Sequence, residues 1–397
     1  MSGILRDRSV ADAAAALWPR ASASEREVRV ARAAWAIVAE TGDGVAGRTV
    51  RALGPVDALA AAGRAAAGSG APPAGVAHGE WAPAVARWRP RLAEGARLVA
   101  AALETVRRRG LTLLVPEDAD LWPEQLDDLG DHAPPALWVR GDPVGLAGLR
   151  RGTAIVGARA ATAYGEHVAT ELAGDLSLEG VAIVSGAAYG IDGAAHRAAL
   201  REGGLTVAVL AGGVDRVYPA GHANLLARIA ETGAVVGEVA PGTPPTKFRF
   251  LQRNRLIAAL SGVTVVVEAG WASGSLNTAS HAASLGRPIG AVPGAVTSAQ
   301  SAGCHRLLRE YGAVCVTNAA EVGELLGTGS AGAPAAEIVD PRLVRVADAL
   351  GTRAWRTVEE IAVSSGLALD EVEAALGSLA LAGRAEREGV TWRLGAG

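Results

Sequence analysis

The apolar positions of this 397-residue chain change their spacing along its length. Through residues 1–110 they recur three and four apart, as Val28, Ala31, Trp35 and Val38 do, without strand-like alternation. That spacing predicts helices with one buried face, separated by short turns such as Thr41-Gly42-Asp43-Gly44 and by a Gly/Pro/Ala-rich loop over 68–73. From about Leu111 the pattern becomes one of short, continuously apolar runs, each followed by a Gly-rich turn and a helical segment. Buried parallel strands read this way, and the runs place them at 154–156, 181–184, 206–210, 235–239, 263–268, 289–292 and 314–316. A second Gly/Ala/Pro-rich stretch, 328–340, reads as a linker. Beyond it, 341–397 read as helices over 342–350, 358–364 and 369–382, then a hairpin through 384–394 around Glu388-Gly389. The class is α/β: a mostly parallel sheet over 111–327, between a helical domain at 1–110 and a small C-terminal domain.

Half the residues are apolar, enough for a large core and two or three domains. Cys304 and Cys315 are too few for a disulfide framework and lack metal-ligand spacing, so they read as buried thiols in a reducing compartment. The first ten residues carry Arg6, Asp7 and Arg8 and no apolar signal core, and no continuously apolar run reaches about 18 residues. The expectation is a cytoplasmic protein with no membrane partner.

A formal net charge of −3 says little, but its distribution says more. Residues 151–327 balance 13 basic against 13 acidic side chains, yet no acid occurs from Val239 to Val267, while Lys247, Arg249, Arg253 and Arg255 fall within nine residues. That stretch is a local positive field. Lys247 is the only lysine and Phe248 and Phe250 the only phenylalanines in a chain otherwise dominated by Ala, Gly and Arg. They persist against that bias, unless chance or a local packing gap put them together.

Ligands of open parallel sheets bind beyond the carboxyl ends of the strands. Four turns on that edge have the glycines and hydroxyls an anion uses: Gly157 to Gly165 with Arg159, Ser185-Gly186 through Asp192, Gly212-Gly213, and Ser273-Gly274-Ser275 through Thr278. One such turn reads equally well as plain architecture; four together favour phosphate binding. Arg159 is a phosphate clamp or a helix-start ion pair. No P-loop and no G-x-G-x-x-G follow the first strand. His196, His281, Asp192 and Asp215 read as structural, and no histidine pair has metal-ligand spacing. The 247–255 stretch follows the fourth strand, precedes a helix starting near Arg255, and opens on the same edge. Its cations suit backbone phosphates and its rings suit unpaired bases, which favours single-stranded nucleic acid.

Taken together, these residues resemble the DNA-processing protein A (DprA/Smf) family over about 111–325. The resemblance runs in order through Ile155-Val156-Gly157-Ala158-Arg159, Ser185-Gly186-Ala187-Ala188-Tyr189-Gly190-Ile191-Asp192, Val209-Leu210-Ala211-Gly212-Gly213 with Tyr218-Pro219, Phe250 with Arg253-Asn254-Arg255, Val267-Glu268-Ala269, Ser273-Gly274-Ser275-Leu276-Asn277-Thr278, and Ala291-Val292-Pro293-Gly294. It implies a Rossmann-like domain, no enzymatic activity, no cofactor, and a homodimer that binds single-stranded DNA, protects it and promotes loading of the recombinase RecA in natural transformation and recombination. It assigns DNA contacts to Arg159, Lys247 and Phe250, with Ser185 and Gly186 in the phosphate pocket. The residue-level reading adds Gly212, Gly213, Arg253, Asn254, Arg255, Gly274 and Ser275. Two positions depart from the family pattern. Leu251-Gln252 stand where Pro-x is frequent, which loosens a loop, and Asn277 stands where Ile is common, which changes the packing of that helix start.

Residues 1–110 read as a helix-hairpin-helix or SAM-like domain, and 341–397 resemble a winged-helix domain. The would-be reading helix of the latter carries Asp370, Glu371 and Glu373, which favours protein contact over duplex reading. The competing enzyme reading is a Rossmann-like nucleoside-monophosphate phosphoribohydrolase, although 269–279 lacks the Pro-Gly-Gly-x-Gly-Thr-x-x-Glu turn of such enzymes. A protein-interaction scaffold is a third reading.

Overall fold

A computed structural model describes residues 3–327, 340–351 and 354–395. They fall into two compact units divided near residue 329, so most of the 328–340 linker lies outside the described residues.

The first unit opens with seven helices: α1 (Gly3–Arg6), α2 (Arg8–Leu17), α3 (Ala23–Val38), α4 (Gly44–Leu53), α5 (Pro55–Ala66), α6 (His78–Ala93) and α7 (Gly95–Arg109). Local signals set their ends. Ser22 and Glu25 form a reciprocal capping box on α3, Asp43 accepts from the Val45 and Ala46 N–H groups at the start of α4, and Pro55 occupies the first turn of α5. Trp35, Trp81 and Trp88 meet edge to face at the centre, with centroids 5.3 and 5.6 Å apart. These helices share one hydrophobic cluster with Leu113, Trp138, Ala208 and Val235 of the sheet, so they pack directly on it.

The sheet strands are β1 (Thr112–Leu114), β2 (Leu137–Gly141), β3 (Thr153–Val156), β4 (Ile183–Ser185), β5 (Thr206–Leu210), β6 (Ala234–Gly237), β7 (Val263–Val266), β8 (Ile289–Ala291) and β9 (Val314–Cys315), in the order β1-β2-β6-β5-β4-β3-β7-β8-β9. From β6 to β9 all pairings are parallel; β1 and β2 add antiparallel pairs at one end. Those two strands escape the sequence pattern because they are short and flank an acidic, proline-containing segment. Helices α8 (Ala163–Leu178), α9 (Ile191–Arg201), α10 (Ala223–Thr232), α11 (Lys247–Leu260), α12 (Ser275–Ser284), α13 (Ala302–Glu310) and α14 (Ala319–Leu326) cover both faces. Along β5, Val207 and Val209 point into one core and Ala208 and Leu210 into the other, which explains the unbroken apolar run. Strand order reverses between β3 and β7, and that reversal places a crevice at their carboxyl ends.

Cys304 is buried, and burial pushes its thiol up to about 12. Cys315 is exposed, contrary to expectation, because it sits on the edge strand β9. His196 is fully buried with Nδ1 2.7 Å from the Thr206 hydroxyl, which itself donates to the Ile183 carbonyl. Burial, then His222, holds its imidazole down at about 3. The unfolded chain therefore takes up a proton near pH 6.5 that the folded chain refuses. The resulting stability is complete above pH 6.5 and drains as pH falls towards 3. At pH 4.5 this one group costs about 2–3 kcal/mol relative to pH 7. Urea midpoints at the two pH values check this, and His196→Asn is expected to flatten the difference.

The second unit comprises α15 (Pro341–Ala349), β10 (Arg356–Thr357), α16 (Val358–Ser365), α17 (Leu369–Leu381), β11 (Ala385–Glu388) and β12 (Thr391–Leu394). Its strands form an antiparallel sheet in the order β10-β12-β11. Val346, Ile361, Val372 and Leu376 make its core. Among the described residues of the chain, no helix is long and apolar enough to cross a membrane.

Candidate nucleic-acid interface

The crevice at the strand reversal is a cavity of about 770 Å³ whose wall includes Gly157, Arg159, Lys247, Phe250, Gly274 and Ser275. It draws together the first βα turn, the start of α11 and the start of α12. Lys247-Phe248-Arg249-Phe250 is not a loop, as the sequence suggests, but the first turn of α11, capped by Thr246, whose hydroxyl accepts from the Arg249 N–H. The helical twist then distributes the basic cluster. Lys247 is exposed on the cavity; Arg249 turns away to Glu40, Nε to Oε1 2.8 Å. Arg253 is buried in the cavity floor, and Arg255 lies outside it in a buried pair with Glu238, 2.6 Å. Of these four cations, Lys247 alone is exposed on the cavity without an ion-pair partner among the described residues.

Arg159 is the second exposed cation on the wall, and neither it nor Lys247 forms an ion pair among the described residues. Its guanidinium lies 5.1 Å from the Phe250 ring centroid, and the Tyr218 ring packs against Phe250 at 5.4 Å. Phe250 is half-buried beneath these neighbours, whereas Tyr218 is exposed. The aromatic surface of the cavity therefore includes Tyr218, a residue not among the candidate contacts read from the sequence. A signal was present: in a chain with four tyrosines, Tyr164, Tyr189 and Tyr218 all follow strands on this edge, and all are exposed.

The four glycine turns are not equivalent. The Ser185 hydroxyl is buried in β4 and donates to the Ile155 carbonyl, 2.6 Å, so it holds neighbouring strands rather than an anion. The Gly186 and Ala188 N–H groups donate to the Asp192 carboxylate, at 3.1 and 3.3 Å. Burial pushes the Asp192 carboxyl up, opposed by Arg253, while burial draws Arg253 down to about 10, leaving it cationic at neutral pH. Arg253 Nη1 donates to the Gly186 and Val209 carbonyls, at 2.8 and 2.5 Å, and a Cβ on Gly186 would strike that guanidinium. At the first turn, Glu268 accepts from the Thr162 N–H, 2.9 Å, and hydroxyl, 2.6 Å, and so fills the start of α8. Two turns that read as anion sites thus already hold an internal carboxylate. The third serves packing: the Gly213 N–H donates to the Thr243 carbonyl, 2.9 Å, and Gly212 abuts Pro245 and lines a smaller recess with Arg159, Tyr189 and Phe250.

The fourth turn stays open. Ser273 and Ser275 hydroxyls lie 2.8 Å apart at the start of α12, beside Gly274 and without a carboxylate partner among the described residues. Asn254 Nδ2 donates to the Gly274 carbonyl and to Asn277 Oδ1, both 3.2 Å, which fixes this helix start to α11. Asn277, a departure from the family pattern, is therefore a tie between helices. The absent proline at 251 likewise loosens nothing, because 251 is helix interior. Arg159, Tyr218, Lys247, Phe250 and the 273–275 turn thus line the cavity without an internal carboxylate partner among the described residues, whereas Ser185, Gly213 and Arg255 are engaged in packing and internal pairs.

Residues 112–327 match the family model of the DNA recombination-mediator protein A. The chain belongs to this family. The putative DNA processing protein DprA of Mycobacterium tuberculosis is 48% identical over 310 residues, covering 74% of this chain and 79% of that protein. DprA of Streptococcus pneumoniae is 40% identical over 203 residues, 51% of this chain and 70% of its own. An X-ray structure of the pneumococcal DprA has a TM-score of 0.53 to this fold at 36% identity, over 60% of this chain and 81% of that one. DprA of Helicobacter pylori, whose structure was described for a unique single-stranded DNA binding mode, has a TM-score of 0.50 at 29% identity, over 55% and 97% of the two chains. The recombination-mediator family match covers the whole parallel sheet and every residue of the cavity wall.

Proposed function

We propose that this protein binds single-stranded DNA in the cavity between β3 and β7, as a homodimer, and promotes RecA loading during recombination and natural transformation. The observation that carries the reading is the pairing of two unneutralised cations, Arg159 and Lys247, with aromatic rings and an open helix start on one wall. Cations without carboxylate partners attract a polyanion, and rings accept unpaired base faces. The H. pylori relative's binding mode supports the same ligand. A free mononucleotide is a poorer fit, because Glu268 and Asp192 fill two of the turns that would seat its phosphate. That weighs against the phosphoribohydrolase reading, for which release of base from nucleoside monophosphates is the check. The second unit reads as a winged-helix module that contacts protein: α17 begins with Asp370 and Glu371, and a duplex backbone would repel them.

Gel shifts with single- and double-stranded oligonucleotides of graded length, without added nucleotide, test the proposal. The single strand is expected to bind at least tenfold more tightly than the duplex, with affinity falling as salt rises. Preference for duplex, or affinity independent of salt, overturns it.

A further inference from the structure

The seven N-terminal helices lie off the cavity wall, yet α11 ties them to it. Its two sides do different work. Lys247, Phe250 and Asn254 line the cavity, whereas Arg249, Gln252 and Arg255, spaced three apart, face the segment joining α3 to α4. There the Glu40 carboxylate accepts from Arg249 Nε, 2.8 Å, and Nη2, 3.3 Å, and from Arg91 Nη2 of α6, 2.7 Å. Arg249 Nη1 also donates to the Pro244 carbonyl, 3.0 Å, next to Pro245 of the cavity wall. Gly42, at φ 71°, lies so close that a Cβ would collide with Gln252 Oε1 and press on Arg255 Nε. Cavities of about 620 and 280 Å³ open on either side, and Glu40 lines both, so contact between the helices and the first turn of α11 narrows to this point.

Building on the single-strand reading above, we propose that Glu40 is a positioning residue: through Arg249 it holds the first turn of α11 so that Lys247 and Phe250 stand over the strand. The sign of the effect makes the proposal testable. Glu40 is an acid beside a site for a polyanion, so by charge alone its removal strengthens binding. If it positions Lys247, removal weakens binding.

The experiment measures anisotropy of a labelled unpaired oligonucleotide across a salt series with the full chain and the variants Glu40→Ala, Arg249→Ala, their combination, Arg249→Lys and Lys247→Glu, with thermal melts alongside. Glu40→Ala and Arg249→Ala are each expected to lose about fivefold in affinity, and the double variant no more than either alone. The salt slope is expected to become shallower in Glu40→Ala although Glu40 touches no phosphate. Arg249→Lys keeps the charge and loses the forked bond, so it should show the same loss; it also decides the matter if Glu40→Ala melts below the assay temperature. Unchanged or increased affinity in Glu40→Ala, or in Arg249→Lys where that variant decides, or losses that add in the double variant, overturns the positioning role. Should Lys247→Glu lose binding while the others keep it, only this inference fails; should the unaltered protein not bind the single strand, the functional reading falls with it.

Discussion

Lys247→Glu and Arg159→Glu are each expected to lower the affinity for a single-stranded oligonucleotide at least tenfold, and together by more than either alone. Tenfold corresponds to about 1.4 kcal/mol. A single exposed cation facing a phosphate is worth roughly that much, and reversal replaces an attraction by a repulsion. Both side chains stand on the cavity wall without an acidic partner among the described residues, so reversal breaks no ion pair seen there and is expected to leave the fold intact. The two changes should nevertheless differ in kind. Lys247 is a point charge at the start of α11, and its loss should appear mainly as a shallower salt slope. Arg159 also covers Phe250 at 5.1 Å, so its loss alters the ring surface and should change the preference among bases as well. Anisotropy titrations at two salt concentrations, with thymine- and adenine-rich strands, separate these outcomes. Undiminished binding in both single variants removes the site.

The parallel sheet was legible because strands buried on both faces leave near-continuous apolar runs, and 206–210 and 263–266, each with a single Thr, are such runs. Where a strand ends was less legible: the run through Glu268 continues past β7 because that carboxylate is buried as well, accepting from Thr162, the N-cap of α8. Composition found Lys247 and Phe250, since a residue type used once or twice in 397 positions is conspicuous. It did not reveal that 247–255 is helical, and a helix sends neighbouring cations in different directions. Charge counted along a segment therefore overstated the field that a ligand meets. Glycine turns misled for a related reason: a peptide N–H is satisfied as well by an internal carboxylate as by a phosphate, whether that carboxylate closes the turn itself, as Asp192 does, or arrives from a distant strand end, as Glu268 does. Glu40 gave no signal at all, because its partner Arg249 is 209 residues away.

Glu238→Ala is expected to destabilise the first unit by about 3–5 kcal/mol, the usual cost of stranding a buried charge. The side chains of Arg255 and Glu238 are 3% and 6% exposed; Arg255 Nη2 makes the contact with Glu238, and Nε and Nη1 have no hydrogen-bond partner among the described residues. Removing the carboxylate leaves a guanidinium between α11 and the Gly42 turn with nothing to neutralise it. The pair need not be stabilising in itself: burial pushes the Glu238 carboxyl up and Arg255 only opposes this, so ionising Glu238 inside the protein has a net cost. Replacing both residues together, Glu238→Leu with Arg255→Met, is accordingly expected to recover most of the stability lost in Glu238→Ala. Urea denaturation of the three proteins measures both effects. The double variant also asks whether Arg255, one of the two arginines in the family motif Arg253-Asn254-Arg255, touches the ligand. Because Arg255 lies outside the cavity, single-strand affinity should stay within about twofold of the unaltered protein, or roughly 0.4 kcal/mol. A loss as large as that of Lys247→Glu, in a protein that melts normally, would place Arg255 among the binding residues and refute its assignment to the scaffold.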